Sequence, residues 1–314
     1  MLLPQPRGPV STALIDAMRA NRPAATPLTG PRTDDPLTDG DIQLTLWVSY
    51  ELHYRGFDDV DPAWEWEPAQ IALRRALESQ VLSSLRATVA VPDLRPVPEA
   101  LWKLVDGDSG PSLSTYLQRH ATEEEFAEYV RQRSVYQLKE ADPHTWAIPR
   151  LSGRAKSALV EIQADEYGSG SPERMHSTLF ARTMRALGLD DGYGAYVDDA
   201  AAISLAVSNV MSMFGLRRDL RGALVGHLAA YEMTSSLPCR RYAAGLRRLG
   251  ADDEACAFYD AHVTADALHE QLAAYDMCGS LADAEPALAD DILWGAAVCL
   301  HVETRFAELL LPRS

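Results

Sequence analysis

The stretch His262-Val-Thr-Ala-Asp266-Ala-Leu-His269 carries the most information about this chain. On an α-helix its three polar residues would lie at about 0°, 40° and −20° around the axis, because each residue turns the helix by roughly 100°. Two imidazoles and a carboxylate would then face the same way, and this ligand set suits iron or another first-row metal. The alternative is a solvated polar face. Phe258 and Leu272 lie near the same stripe, which favours a buried face.

The sequence around this stretch has helical periodicity almost throughout. Apolar residues recur at three- and four-residue spacings, which predicts helices over about 11–20, 41–57, 69–89, 122–140, 150–167, 172–187, 199–215, 218–249, 253–277 and 286–310. Pro238 should kink the helix over 218–249. Because strand-like alternation with hairpin turns is absent, the sequence predicts an all-α bundle.

Three segments are expected along the chain, packed as one compact unit. Residues 1–40 carry seven prolines, which predicts an irregular arm with one short helix. Residues 41–130 are expected to form an N-terminal helical extension. Residues 131–314 are expected to form the helical core that holds the functional residues.

The bulk composition predicts a soluble cytoplasmic protein. The formal net charge is −16 and the pI is about 4.9, which argues against nucleic acid as a partner because that requires a clustered basic surface. No apolar run is long enough for a membrane span, and the first twenty residues do not resemble a signal peptide. The four cysteines are scattered without a CxxC pair, as in a protein with reduced thiols. A homodimer is left open.

A second set of polar residues lies inside otherwise apolar helices. Glu232 stands in GALVGHLAAYEMTSS, where a carboxylate is costly to bury unless it is paired or binds a metal. An ion pair with Arg240 or Arg241 is the alternative.

Two further polar residues, Glu166 and His176, flank a Gly/Ser/Pro break that lets two successive helices aim side chains at one point. Taken alone, they also fit a helix-terminal glutamate and a core histidine. Glu140 lies at the predicted end of the preceding helix, where acidic residues are also common without a function.

Together these residues resemble the haem-oxygenase-like diiron oxidases and oxygenases, a family of iron-containing redox enzymes, and most of all its N-oxygenating domains. That family uses a carboxylate from one helix, a Glu and a His across a broken helix, a lone Glu, and a final H-x3-D-x2-H helix. The stretches DEYG, MHSTLF and AYEMTSS are similar to the family's surroundings, over about residues 41–310. The positions that match in order are Glu140, Glu166, His176, Glu232, His262, Asp266 and His269.

The resemblance implies a haem-oxygenase-like bundle of about seven core helices with additional N-terminal helices. It also implies two iron ions, resting as Fe(II), with O2 as co-substrate. The charges agree with this, because two Fe(II) ions bring four positive charges and the four matching carboxylates bring four negative ones. A neutral cluster avoids the desolvation cost of an unbalanced one.

Five other residues are candidates around such a site. Asp165, beside Glu166, is placed to accept the N–H of a ligand imidazole or else to be solvated. His227 is predicted to be a core histidine or to lie behind the ligands, because it does not share a face with Glu232. The candidates for lining a pocket, with core packing as the alternative, are His53, Trp146 and Tyr167.

The sequence favours an O2-activating diiron enzyme that oxidises a small amine or amino-acid-like substrate, with N-oxygenation first. The same site would serve oxidative desaturation, C–C fragmentation or decarboxylation, because related sites share ligands and differ in pocket shape. An external electron donor is also considered. The other classes are a haem-oxygenase- or thiaminase-like protein and a non-catalytic interaction protein, and iron content per chain would separate them.

Overall fold

The fold is built from α-helices, with short 3-10 helices between some of them. The computed structural model describes residues 1–22, 33–93 and 95–312, with the backbone alone for residues 264–267. No strand occurs in these residues, so the predicted all-α class is confirmed. The helices are α1 (Pro9–Arg19), α2 (Gly40–Glu51), α3 (Pro68–Thr88), α4 (Val97–Asp106), α5 (Leu113–Arg119), α6 (Glu123–Gln137), α7 (Asp142–Thr145), α8 (Gly153–Glu166), α9 (His176–Ala186), α10 (Ala202–Leu216), α11 (Arg221–Thr234), α12 (Ser236–Arg248), α13 (Asp253–Gln271), α14 (Ser280–Ala284) and α15 (Ala289–Leu310).

Two prolines lie close to helix ends near the polar residues. Helix α6 ends at Gln137, three residues before its predicted end at Glu140, and Pro143 is the second residue of α7. Glu140 therefore lies in the turn between α6 and α7. The predicted kink before Pro238 is found at Ser235, where α11 gives way to α12. Pro238 cannot donate to the carbonyl of Thr234, four residues back.

Other boundaries differ from the prediction. Pro172 opens a short 3-10 turn (Pro172–Arg174), and α9 begins only at His176. The helix predicted over 253–277 ends as an α-helix at Gln271 and continues as a π-helix over Leu272–Gly279. Such π segments inside helices are rare and are frequent at functional sites. The short helices α4 and α5 lie where no helix was predicted.

Helices α11 and α15 cross closely at two glycines. A Cβ atom on Gly226 would lie 1.8 Å from the carbonyl oxygen of Ile292, and one on Gly295 would lie 2.0 Å from that of Ala223. Only a residue without a side chain fits such an approach. The crossing fixes the direction of α11, which carries Glu232 in its last turn.

A buried ion pair joins residues 41–130 to the rest of the bundle. Glu51, at the end of α2, accepts from the ammonium of Lys139, and both side chains are almost fully buried. The hydroxyl of Tyr193 donates to the other oxygen of Glu51 at 2.8 Å. Lys139 directly precedes Glu140, so α2 supports the turn on which Glu140 stands. None of the helices in the described residues has the length and apolar character that crossing a bilayer requires.

Candidate metal centre

The break between α8 and α9 brings Glu166 and His176 together. Glu166 is the last residue of α8 and His176 is the first of α9. Gly168 has a positive φ of 71°, and a Cβ atom there would lie 2.6 Å from the backbone nitrogen of Met175. The chain therefore reverses tightly enough to place Nδ1 of His176 2.8 Å from Oε2 of Glu166. The sequence prediction that this break aims both side chains at one point agrees with the geometry.

The first candidate ligand group has four members. Nδ1 of His176 lies 3.9 Å from Oε2 of Glu140, and Nε2 of His262 lies 3.6 Å from Oε1 of Glu140. With Glu166, these residues offer one ligand atom each within 4.8 Å of one another. They come from the turn after α6, from both sides of the α8–α9 break, and from α13.

The second candidate group consists of Glu166, Glu232 and His269, again with ligand atoms within 4.8 Å of one another. Nδ1 of His269 lies 3.2 Å from Oε2 of Glu232. Glu232 is thus close to imidazole and carboxylate groups, whereas Arg241, its alternative ion-pair partner, donates to Ser112 and Ser114 instead. Glu166 belongs to both groups and joins them into one cluster.

The two histidines of the H-x3-D-x2-H stretch serve different groups. His262 belongs to the first and His269 to the second, although both lie on α13 and point into the same interior. The side chain of Asp266 lies outside the described residues, and its predicted role as a ligand stays a prediction.

Hydrogen bonds fix the orientation of three cluster residues. Nδ1 of His262 donates to the carbonyl of Phe258 at 2.9 Å, which leaves the Nε2 lone pair facing Glu140. Nε2 of His269 lies 3.0 Å from Oδ2 of Asp165. The hydroxyl of Tyr136 donates to Glu140 at 3.2 Å. A partner on one imidazole nitrogen selects the tautomer that offers the other to a metal.

The electrostatics of the cluster favour bound positive charge. Burial acts to lower the pKa of His262, but the carboxylate of Glu140 holds it well above the ordinary histidine value. Burial also acts to lower the pKa of His269, but the carboxylates of Glu232 and Asp165 outweigh it and raise that pKa to about 9. Burial acts to raise the pKa of Glu166, yet the neighbouring imidazoles lower it to about 2. Without a cation, the carboxylates draw protons onto the histidines, and a metal ion would replace those protons.

Several polar atoms of the cluster lack a hydrogen-bond partner and are placed where a metal ion could bind them. Oε2 of Glu140, Oε2 of Glu166 and Nδ1 of His176 are buried without a hydrogen-bond partner among the described residues. Glu166 and His176 are close but not aligned for a hydrogen bond. Atoms bound at about 2.1 Å to one metal at right angles lie roughly 3 Å apart, so this spacing is expected of two ligands of one ion. A cavity of about 50 Å³ lies between Glu140, Glu166, Glu232 and His262.

A larger cavity of about 500 Å³ reaches the cluster at Glu140 and His262. One face of α6 and the turn after it forms a wall of this cavity. The residues of that wall recur at helical spacing and are Tyr129, Arg133, Tyr136, Gln137 and Glu140. These residues were not among those predicted to line a pocket, although their helical spacing, which ends at the candidate ligand Glu140, indicates one continuous face.

The predicted pocket residues lie elsewhere. Neither cavity is lined by His53, Trp146, Tyr167 or His227. His53 pairs with Glu65 at 3.1 Å, and the Tyr167 hydroxyl donates to Asp142 at 2.8 Å. The polar atoms of His53 and Tyr167 are therefore engaged by these neighbours.

A pair of buried imidazoles lies behind the cluster. His227 packs against His144, with ring centroids 5.6 Å apart, and His144 lines the small cavity. Burial lowers the pKa of His144 to about 4, so this imidazole is neutral near pH 7. Burial and the neighbouring His144 also lower the pKa of His227.

A family model described as iron-containing redox enzymes matches residues 127–304, more than half of the chain. This range contains every residue of the two candidate ligand groups. The chain belongs to the iron-containing redox enzymes. The family assignment makes it an oxidoreductase and names iron as the metal for which the cluster is to be considered.

One relative of this iron-containing redox enzyme is the nitrosourea synthase of Streptomyces achromogenes subsp. streptozoticus. The two sequences are 32% identical over 138 residues, which is 43% of this chain. The match covers 29% of the relative's own length.

Proposed function

We propose that this chain is an O2-dependent diiron oxygenase. One iron would be held by Glu140, Glu166, His176 and His262, and the other by Glu166, Glu232 and His269 with Asp266 as a further ligand. The observation that carries the proposal is the position of Glu166 within 4.8 Å of both ligand sets. A carboxylate has two oxygens, so the one Glu166 side chain could serve both ligand groups.

The protein's own contribution is to orient and bury the ligands. Phe258 and Asp165 each accept an N–H from a histidine, which directs the opposite imidazole nitrogen towards the cluster. Tyr136 holds Glu140 through its hydroxyl. Two ferrous ions bound there would supply the electrons that reduce O2. The burial of Glu166, Glu232 and His269 keeps bulk water away from that chemistry.

The substrate is proposed to be a small amine or amino-acid-like molecule that is oxidised at nitrogen. The nitrosourea synthase resemblance supports N-oxygenation, since a nitrosourea contains an N–O bond. The cavity of about 500 Å³ supports a small-molecule substrate, because its volume lies within the range of ligand pockets. An external reductant is expected to restore the ferrous state between turnovers.

Iron content is the decisive measurement. After anaerobic loading with Fe(II) and removal of loosely bound metal, the wild-type protein should hold about two irons per chain. Glu166→Gln should reduce the content at both positions, because one side chain serves both ligand groups. Glu161→Gln is the matched control, since Glu161 is an exposed glutamate on the same helix.

A wild-type iron content near zero, or a Glu166→Gln protein that keeps two firmly bound irons, would contradict the diiron proposal. The type of oxidation is a separate measurement. Oxygen consumption with candidate amines, followed by mass spectrometry of the product, should show a gain of oxygen on nitrogen. Loss of hydrogen or carbon without oxygen gain would leave the iron site standing and reject N-oxygenation.

A further inference from the structure

We propose that Arg241 binds a carboxylate of the substrate, so that the large cavity takes an anionic, amino-acid-like molecule lengthwise. This inference rests on the proposed function, in which the other end of the molecule is oxidised at the cluster. Arg241 and the candidate ligands Glu140 and His262 line the same cavity. A substrate inside it can therefore contact both.

The other arginine in the cavity is already neutralised. Arg133 donates from both terminal nitrogens to the two oxygens of Glu303, one of these bonds being 2.8 Å long. The hydroxyl of Tyr231 donates to Glu303 at 2.8 Å as well. Such a bidentate pair has its charges matched and its best donor geometry used. It forms a wall of the cavity without leaving a charge for a ligand.

Arg241 is in a different state. Its Nη1 donates to the hydroxyls of Ser112 and Ser114, at 3.3 Å and 3.2 Å. In the part of the chain that the structure describes, no carboxylate lies within 4.0 Å of its guanidinium. Asp108, another acidic residue of the lining, accepts the backbone N–H of Gly110 instead. The two serines bind Nη1 of the guanidinium, and its other N–H groups are placed to bind an anion.

The other end of the substrate needs a hydrogen-bonding group close to the cluster, and Gln137 offers one. Its amide oxygen is buried and has no partner among the described residues, and the side chain lines the cavity three residues before Glu140. A buried amide oxygen without a partner is destabilising, so a ligand that donates a hydrogen bond to it recovers this energy. An N–H group of the substrate is a suitable partner.

The distance between the two ends sets the length of the molecule. Ser235 lines both cavities and marks the cluster end, and Arg241 follows six residues later along α12. Six residues of α-helix rise about 9 Å. A carboxylate and a nitrogen separated by a chain of several carbons would span this length.

The experiment compares two probes that differ in one charge. Binding of 6-aminohexanoate and its neutral analogue 6-aminohexanamide is measured by isothermal titration calorimetry, with metal-free and anaerobically Fe(II)-loaded protein. The wild-type protein should prefer the carboxylate by about tenfold in both forms, as expected for a charge-assisted Arg–carboxylate bond. Arg241→Gln should abolish the preference. Arg240→Gln should retain it, because Arg240 is an exposed neighbour on the same helix that does not line the cavity.

Equal affinities of the two probes for the wild-type protein, or failure of both to bind, would overturn the proposal. So would an unchanged preference in Arg241→Gln, and a preference present only with Fe(II) would place the carboxylate at the metals instead. Ser114→Ala, which removes one hydroxyl partner of the arginine, should reduce the preference several-fold and serves as the variant if Arg241→Gln does not fold. Iron content is measured in parallel, so loss of the diiron site is recognised separately from loss of carboxylate binding.

Discussion

Asp165 lies 3.0 Å from Nε2 of His269, whose other ring nitrogen faces Glu232 at 3.2 Å. An exposed carboxylate at the end of α8 thereby orients a fully buried imidazole on α13. A metal bound at the second candidate ligand group would complete the order carboxylate, histidine, metal that is common in metalloproteins. In this chain it links the surface of the bundle to the second candidate ligand group.

Replacing this supporting carboxylate should weaken the second iron position. Asp165→Asn removes the charge that holds the His269 tautomer, and we expect Fe(II) affinity at that position to fall by about 10- to 100-fold. Anaerobic Fe(II) titration with a chromophoric chelator as competitor would measure it. Glu161→Gln, one turn earlier on α8, should leave both affinities unchanged, and an equal effect of the two variants would remove Asp165 from this role.

Removing His269 itself should abolish one iron position and spare the fold. The His269→Ala protein should bind about one Fe(II) firmly and lose turnover, because the second group loses its imidazole while α13 keeps its other contacts. Iron analysis and far-ultraviolet circular dichroism would check both statements. His120→Ala provides the control, since His120 is an exposed histidine at the end of α5. Two firmly bound irons in His269→Ala would show that His269 is not a ligand.

The reversal between α8 and α9 should be sensitive to a methyl group at one glycine and tolerant at another. Gly168 and Gly170 both have positive φ, so alanine at either position costs about 1–2 kcal/mol of backbone strain. At Gly168 the added Cβ would also meet the backbone of Met175, next to His176, whereas at Gly170 nothing lies within 4 Å. Gly168→Ala should therefore lose iron at the first ligand group, and Gly170→Ala should keep it. Equal iron contents in the two proteins would contradict this account.

The crossing of α11 and α15 should tolerate no side chain. Gly295→Ala would push a Cβ to 2.0 Å from the carbonyl oxygen of Ala223, and we expect a loss of about 3 kcal/mol or more in the free energy of unfolding. Gly40→Ala, where the nearest contact would be an ordinary 3.6 Å, should change it little. Urea denaturation would measure both. A small effect at Gly295 would mean that the two helices can move apart freely.

Much of the candidate site is local in the sequence. The Gly/Ser/Pro break, the spacing of His262 and His269, and the isolated Glu232 all reflect the need to place polar groups inside apolar helices. Polar residues inside an apolar helix can be recognised in the sequence, because they interrupt the regular helical spacing of the apolar residues. The family assignment agrees with the fold that the resemblance implied.

The rest depends on contacts between distant segments. The separation of His262 and His269 into two ligand groups follows from which carboxylates approach α13, and spacing on one helix does not contain that information. The cavity wall on α6 was missed because its tyrosines, arginine and glutamine resemble an ordinary half-buried face. Arg241 lies opposite Ser112 and Ser114 only after α12 has packed on α5.

The buried pair of Glu51 and Lys139 bears on how the protein can be dissected in the laboratory. A protein shortened to residues 131–314 would lose the carboxylate partner of Lys139 and the rings of Trp47 and Tyr54, which lie within 5.5 Å of its ammonium. It would also begin inside α6 and expose the apolar surface that α2 covers, which favours aggregation. Proteolysis or recloning at residue 130 should therefore yield an insoluble fragment rather than a smaller iron-binding module. A separate fragment of residues 1–130 would have to supply the Glu51 carboxylate as well as the apolar surface that packs on the remaining helices.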